Sequence, residues 1–138
     1  MSDATQRWRA ISSFSGPEES PGFTLWRDFM RWQRLLNIEL RPFGLTQPQF
    51  AILSVCGWLT RDGRDVSQQD VADYLRLDRM HVSQITKRLE EYGLIIRIVP
   101  ADDLRTKHIK LTETGEELLF QALPQVEAFD KKFFNGSQ

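Results

Sequence analysis

Two short helical segments, joined by a tight turn and followed at once by two alternating strands, constrain the fold of this chain most. Ser67 and Asp78 stand in N-cap positions before helical apolar spacing, and Gly93 follows the second segment, where helices often end on a left-handed residue. The runs 95–99 and 107–111 then alternate apolar and polar residues, and Ile96, Ile98, Ile109 and Leu111 are expected to form the one apolar face of a hairpin. This order predicts a mainly α fold with a small β-hairpin, the winged helix-turn-helix.

A longer helix is predicted on each side of this core. Apolar residues recur every three or four positions across 23–43 and cover more than one side of that helix, which indicates burial by more than one neighbour. In a chain of this size, a second subunit is a natural candidate for one of those neighbours. Thr46, with Gln49 three residues on, is the expected N-cap of a helix that runs to about residue 59, and Thr112 is the expected N-cap of a last helix across 112–134.

The predicted elements form one domain preceded by an arm. Residues 1–22 mix Ser, Gly, Pro and Glu and are expected to be irregular, apart from one or two helical turns. Residues 23–138 are expected to fold as a single domain whose winged core spans about 46–111. A chain of 138 residues can bury one real core but is too short for two ordinary domains.

Several classes of protein are excluded by composition. No apolar run approaches the roughly 20 residues that cross a bilayer, and the N-terminus lacks a secretory signal pattern. We therefore expect no membrane association and a cytoplasmic location. One cysteine and two histidines, in different predicted elements, are too few for an ordinary zinc site, and the sequence contains no phosphate-binding loop. We expect no enzymatic activity, metal or cofactor.

The second short helix carries the side chains expected to read DNA, because in a helix-turn-helix this helix enters the major groove. Between positions 79 and 88 it has three cations and no acid, with neutral donors and acceptors between them, Thr86 included. The predicted contacts are Arg79, Met80, His81, Ser83, Gln84, Lys87 and Arg88. Met80 leaves two interpretations, since its apolar side chain could meet a thymine methyl group or fold back onto the core.

The hairpin is predicted to touch DNA beside that helix. Arg105 would probe the minor groove or backbone, with Lys107 and Lys110 on phosphates. Asp103 lies two residues before Arg105, close enough to hold its guanidinium by a charge-assisted hydrogen bond. Residues 76–111 contain eight Lys/Arg against five Asp/Glu, so this part of a chain of net charge −1 is locally basic.

A further phosphate contact is predicted at the start of the first short helix. Ser67 and Gln68 occupy its N-terminus, where free backbone N–H groups point outward and bind anions.

These segments resemble the multiple antibiotic resistance regulator (MarR) family of bacterial transcription factors. The matching segments are LTQPQFAIL (45–53), SQQDVADYLRLDRMHVSQITKRLEEYGLI (67–95) and DDLRTKHIKLTETGEELL (102–119). The last is close to the family's wing signature, Asp-x-Arg followed by a strand that ends in Leu-Thr-x-x-Gly. The resemblance covers about residues 23–134. It implies a homodimer on a pseudo-palindromic operator, with dimerisation helices at about 23–43 and 112–134, and usually repression relieved by a small ligand or by oxidation.

The chain departs from the family pattern at two places. Met80 and His81 stand where the family often has small hydroxyl residues. Members usually have another helix after the last one predicted here, so either the dimer is smaller or the N-terminal arm, with Trp8, Ile11 and Phe14, substitutes for that helix; we favour the arm.

By the same resemblance, an effector pocket would lie between the dimer-forming helices and the DNA-binding part. The candidates are aromatic or soft side chains on helices that should meet there: Trp26, Met30, Phe50, Trp58 and Phe120. A small aromatic or phenolic effector is the expected ligand. An aromatic stripe at helical spacing is equally the pattern of an ordinary core, so both interpretations stand.

Two further alternatives remain at the level of sequence. A winged helix can serve as a protein–protein module, with its basic face on an acidic partner. Cys56 could sense oxidants, but no Lys, Arg or His lies within a helical turn of it, which favours a buried and unreactive thiol.

Overall fold

The computed structural model describes residues 2–103 and 105–136. The described elements are six α-helices, two single 3-10 turns and a two-stranded antiparallel sheet, which confirms the predicted fold class. The helices are α1 (Asp3–Ile11), α2 (Pro21–Leu40), α3 (Gln47–Thr60), α4 (Gln68–Leu75), α5 (Arg79–Glu91) and α6 (Glu113–Phe134), the 3-10 turns are Pro17–Glu19 and Arg41–Phe43, and the strands are β1 (Ile95–Ile98) and β2 (His108–Leu111). Of the described helices, none is long and apolar enough to cross a membrane.

Contacts within the chain divide it into two compact units, with the boundary between Leu35 and Leu36 inside α2. The first unit contains α1, a helix of nine residues that is slightly longer than the one or two helical turns expected in the arm. Ser2 caps this helix by accepting the Thr5 N–H at 3.2 Å, and Arg9 lies in its last turn, where a cation complements the helix dipole. Gly and Pro, the residues that suggested irregular structure, begin only after α1 has ended.

In the second unit, side chains cap the helices as the sequence predicts. Thr46 and Gln49 form a reciprocal capping box at α3, and Ser67 and Asp70 form one at α4. Thr112 accepts the Gly115 N–H at the start of α6. Each cap satisfies N–H groups that a helix terminus otherwise leaves unpaired.

The turn between α4 and α5 is closed by Arg76, whose φ of 58° is in the left-handed region. The Leu77 N–H donates to the Ala72 carbonyl at 3.0 Å, which ends α4 and redirects the chain. Asp78 then caps α5 by accepting the His81 N–H at 2.8 Å. This geometry sets the direction of α5 relative to α4.

The sheet corrects one sequence expectation, because alternation in β1 does not bury Ile96 and Ile98. Ile95 is 1% exposed and pairs with Leu111, whereas Ile96 pairs with Lys110 and is 45% exposed. The chain passes directly from α5 into the core at Leu94, and this fixes which face of the strand turns inward. A shift of one residue moves every side chain of a strand to its other face.

The segment before α4 pairs with the other edge of β2. The Ile109 N–H donates to the Val66 carbonyl at 2.8 Å, and the Gln68 N–H donates to the Lys107 carbonyl at 2.9 Å. These two bonds join the start of α4 to the base of the hairpin. They fix the relative position of two elements of the predicted DNA-binding surface.

Helix α6 begins where Gly115 passes very close to the backbone of Leu94. A Cβ atom at position 115 would lie 2.0 Å from the Leu94 carbonyl oxygen. The same oxygen accepts the Thr112 N–H at 3.0 Å, and the Thr112 hydroxyl donates to the Gly93 carbonyl at 2.7 Å. The Leu-Thr-x-x-Gly pattern therefore specifies a packed junction between the hairpin and α6.

Candidate nucleic-acid interface

Helix α5 presents a polar face away from the core. Val82 and Leu89, on its inner side, are fully buried, whereas Met80 is 72% exposed. At 3.6 residues per turn, Met80, Gln84 and Lys87 lie on the side opposite Val82 and Leu89. Of the predicted contacts on this helix, Ser83 is half-buried and the rest are exposed: Arg79, Met80, His81, Gln84, Lys87 and Arg88. The exposure of Met80 excludes the interpretation that it folds back onto this chain's core.

Thr86 does not belong to this outer face, contrary to the sequence expectation. It is fully buried, and its hydroxyl lies 3.0 Å from the Ser83 carbonyl oxygen and 3.2 Å from the side-chain oxygen of Gln68. The Thr86 hydroxyl therefore links α5 to α4 and does not read base edges as the sequence predicts.

An open cleft, here called the basic cleft, brings together the start of α4, the first turns of α5 and the hairpin. Among the described residues its lining is Ser67, Gln68, Gln69, Arg79, Met80, Ser83, Asp103, Arg105, Thr106 and Lys107. Three of these are cations and one is an acid. Side chains predicted from three separate segments of sequence thus share one surface that attracts anions.

Asp103 shapes the hairpin turn, and its observed partners differ from the predicted one. Its carboxylate accepts the Arg105 backbone N–H at 3.0 Å and the Thr106 hydroxyl at 2.5 Å, in place of the Arg105 guanidinium. These two bonds hold the pKa of Asp103 below its usual value, the Thr106 hydroxyl having the larger effect. Asp103 positions Arg105 through the backbone.

The backbone N–H groups of Ser67 and Gln68 are not free to bind phosphate, contrary to the sequence prediction. The Ser67 N–H donates to the Asp70 carboxylate at 2.9 Å, and the Gln68 N–H bonds to the hairpin at Lys107. The Gln68 side chain is 6% exposed and bonds to Thr86. Both residues line the basic cleft, but the hydrogen bonds of Gln68 connect α4 to Thr86 of α5 and to the hairpin at Lys107.

Three predicted cations lie outside the lining of the basic cleft: Lys87, Arg88 and Lys110. Lys110 lines another cleft, with Arg61, Asp102 and His108, on the face of the hairpin that carries Ile98. Arg88, near the end of α5, lies 3.5 Å from the Glu91 carboxylate in an exposed ion pair.

The structure adds one interaction that sequence reasoning missed. The Glu90 carboxylate accepts bonds from Arg97 at Nε (3.2 Å), at a terminal nitrogen (2.9 Å) and at the backbone N–H (3.3 Å). The Arg97 side chain, mainly through its hydrogen bonds, holds the pKa of Glu90 below its usual value. The pair locks the end of α5 to β1. The opposite charges are visible in the sequence, but seven residues and a chain reversal separate them.

Cys56 agrees with the expectation of a buried thiol. It is fully buried, and removal from solvent raises its pKa to about 12. Reactive thiols need the opposite shift. Across residues 2–103 and 105–136, no group of three or more His, Cys, Asp or Glu side chains is arranged to hold a metal ion.

The candidate effector residues fall into three groups. Trp58 and Phe120 line one cleft of the second unit, here called the aromatic cleft, with Tyr74, Leu119, Leu123, Glu116 and Glu127. Phe50 is 8% exposed and belongs to the core. Trp26 and Met30 lie in the first unit, where both line a cleft with Phe23 and Arg27.

Comparison with known proteins agrees with this geometry. A family model for a winged helix DNA-binding domain matches residues 45–115. The HTH-type transcriptional regulator YdcH of Bacillus subtilis is 40% identical over 123 residues, 89% of this chain and 84% of that protein.

Solved structures give the same result. A MarR-family transcriptional regulator from Rhodococcus sp. RHA1 superimposes with a TM-score of 0.72 at 30% identity, over 83% of this chain and 79% of that one. CouR from Rhodococcus jostii RHA1, bound to p-coumaroyl-CoA, gives 0.74 at 28% identity, over 88% and 82%. CouR bound to a 23-mer DNA duplex gives 0.69 at 25% identity, over 80% and 75%.

The fold and the basic cleft together define a winged helix DNA-binding protein. The chain belongs to the winged helix DNA-binding domain family and is a transcriptional regulator of the MarR type. These relatives give no support to the alternative of a protein–protein module without its own operator.

Proposed function

We propose that this regulator acts in the cytoplasm as a homodimer that binds a pseudo-palindromic operator and represses transcription until a small effector binds. The observation that carries the proposal is the basic cleft, in which the outer face of α5 and the hairpin present Arg79, Arg105 and Lys107 on one surface. Phosphate contacts from such cations supply affinity, while the α5 side chains read base edges. CouR, similar in fold, has been seen on a DNA duplex.

The case for a second copy rests on exposed apolar side chains in α1 and the first half of α2. Large apolar residues there are 61–83% exposed: Trp8, Ile11, Leu25 and Trp26. A monomeric soluble protein rarely exposes this many large apolar side chains to water on two consecutive helices. A two-fold dimer would cover them and would place two α5 helices one DNA turn apart.

Selection of bound duplexes from a random pool tests this part of the proposal. We expect enriched sequences with two inverted half-sites about 10 base pairs apart, centre to centre. Sedimentation velocity should show a dimer, and Leu25→Asp should shift it to the monomer. Ile96→Asp is the matched control, because Ile96 is an exposed apolar residue on the hairpin. A dimer that survives Leu25→Asp, or enriched sites without inverted symmetry, would contradict the proposed assembly.

The aromatic cleft is the proposed effector site. CouR, similar in fold, is known with p-coumaroyl-CoA, and this cleft offers the half-exposed rings of Trp58, Tyr74 and Phe120. Its charged lining residues are both acids, Glu116 and Glu127. The Arg61 guanidinium already occupies one face of the Trp58 ring, 3.6 Å from its centroid, so the expected preference for a cationic ligand rests on the two acids.

A matched pair of phenols tests the site and its sign of charge. Tyramine and 3-(4-hydroxyphenyl)propanoate share a ring but carry opposite charges, and we expect tyramine to release the protein from its operator at the lower concentration. Phe120→Ala should weaken the response to tyramine and leave operator affinity without ligand unchanged. Preferential release by the propanoate, or an equal response in the variant, would place the effector site elsewhere.

A further inference from the structure

The basic cleft contains one apolar side chain among polar ones. Of its ten described lining residues, nine are polar or charged, and the tenth is Met80. Met80 is 72% exposed, beside Arg79 and Ser83 on the first turn of α5. An exposed methionine surrounded by cations and hydroxyl groups gains nothing for the folded chain, because its apolar surface remains in water. Burial of this side chain against an apolar group of a bound partner would remove that surface from water.

The position of Met80 determines which part of DNA it meets. Asp78 caps α5, so Met80 is the second residue of that helix and projects on the side opposite the fully buried Val82 and Leu89. The N-terminal residues of a recognition helix are the ones that contact base edges in the major groove. Arg105 and Lys107 flank the same cleft and suit the phosphates on either side.

The chemistry of the thioether limits what Met80 can recognise there. It has no hydrogen-bond donor and is only a weak acceptor, so it cannot read the donors and acceptors of guanine, cytosine or adenine. The apolar group that the four base pairs offer in the major groove is the C5-methyl of thymine. Resting on the proposed function, we propose that Met80 determines specificity by packing against one thymine methyl group in each operator half-site.

Replacing thymine by deoxyuridine removes that methyl group and leaves the pairing edge intact. The full chain is first bound to the operator obtained by selection, and each thymine of one half-site is then replaced in turn, with the symmetric position replaced in the other. We expect one position at which the replacement raises Kd about fourfold per half-site, the value for losing burial of one methyl-sized group. In Met80→Ala the penalty at that position should disappear.

Gln84→Ala is the control, since Gln84 lies one turn further along the same outer face. It should weaken binding through its own contacts and retain the deoxyuridine penalty. Penalties that are absent at every thymine, or that persist unchanged in Met80→Ala, overturn the inference while operator binding itself stands. Failure to select any preferred sequence would count against the proposed function and leaves no half-site for Met80 to read.

Discussion

The buried hydroxyl of Thr86 lies 3.2 Å from the side-chain oxygen of Gln68, so helix α5 is joined to the first residue of α4. Gln68 is also the residue whose N–H bonds to the hairpin at Lys107. One residue therefore links the two helices of the motif and the hairpin, and these three elements line the basic cleft.

Removal of this link should destabilise the fold. Thr86→Val keeps the side-chain shape but leaves the buried Gln68 amide without its partner, which we expect to cost about 1–3 kcal/mol of unfolding free energy. Urea denaturation measures this value. In a double-mutant cycle, Gln68→Met combined with Thr86→Val should cost less than the two single changes summed, because no polar group is then left unpaired. Additive losses would show that the two side chains do not interact.

The ion pair between Glu90 and Arg97 should make stability depend on pH. The pKa of Glu90 is lowered in the folded state, so its stabilisation is present above its unfolded pKa and is lost as pH falls through the folded value. The pair is partly exposed, so we expect Glu90→Gln to cost only about 0.5–1 kcal/mol at pH 7. As pH falls from the unfolded pKa of about 4.3 through the lower folded value, the variant and the natural chain should converge.

Denaturation midpoints measured between pH 3 and pH 7 check this expectation. Glu91→Gln is the control, because the Glu91–Arg88 pair is exposed on both sides and 3.5 Å long. A difference between Glu90→Gln and the natural chain that stays constant down to pH 3 would rule out the charge of Glu90 as its source.

Gly115 should tolerate no side chain. A Cβ atom at this position would lie 2.0 Å from the Leu94 carbonyl oxygen, and backbone cannot move aside as a flexible side chain can. We expect Gly115→Ala to cost about 3 kcal/mol or more, from overpacking at the junction of the hairpin and α6. Gly22→Ala is the matched control, since nothing lies within 4 Å of its Cβ position, and it should be neutral or stabilising by up to about 1 kcal/mol. Thermal unfolding compares the two.

The hairpin cations should differ in their contribution to DNA binding. Arg105 lines the basic cleft, so Arg105→Ala should weaken binding and reduce the slope of log K against log salt by about one phosphate contact. Lys110 lines the other cleft, so Lys110→Ala should leave that slope unchanged, contrary to the sequence-based expectation for this residue. Titrations at several salt concentrations measure both. Equal slopes for Arg105→Ala and the natural chain would show that Arg105 does not contact a DNA phosphate.

Oxidants should not control DNA binding through Cys56. The thiol is fully buried and its pKa is raised to about 12, so almost no thiolate exists near neutral pH. We expect any effect of hydrogen peroxide on operator affinity to be the same in the natural chain and in Cys56→Ala, and the thiol to react with a disulfide reagent only after denaturation. A loss of affinity that Cys56→Ala prevents would establish a redox role.

Local signals in the sequence determined most of the elements and much of the candidate site. The caps at Thr46, Ser67, Asp78 and Thr112 lie where predicted, because capping depends on residues only three positions apart. The same local order of helix, turn, helix and hairpin predicted the outer face of α5, except that it placed the buried Thr86 there.

Only the tertiary structure decided which polar groups face inward and which strand face is buried. Thr86 and Gln68 look like surface residues in sequence, yet they meet across 18 positions in a buried contact. The alternation of Ile96 and Ile98 around Arg97 predicts the wrong inward face of β1, because Ile95, which follows the buried Leu94, turns inward instead. The spacing of apolar side chains depends on the geometry of the helix or strand that carries them. It does not identify the distant part of the chain against which that helix or strand packs.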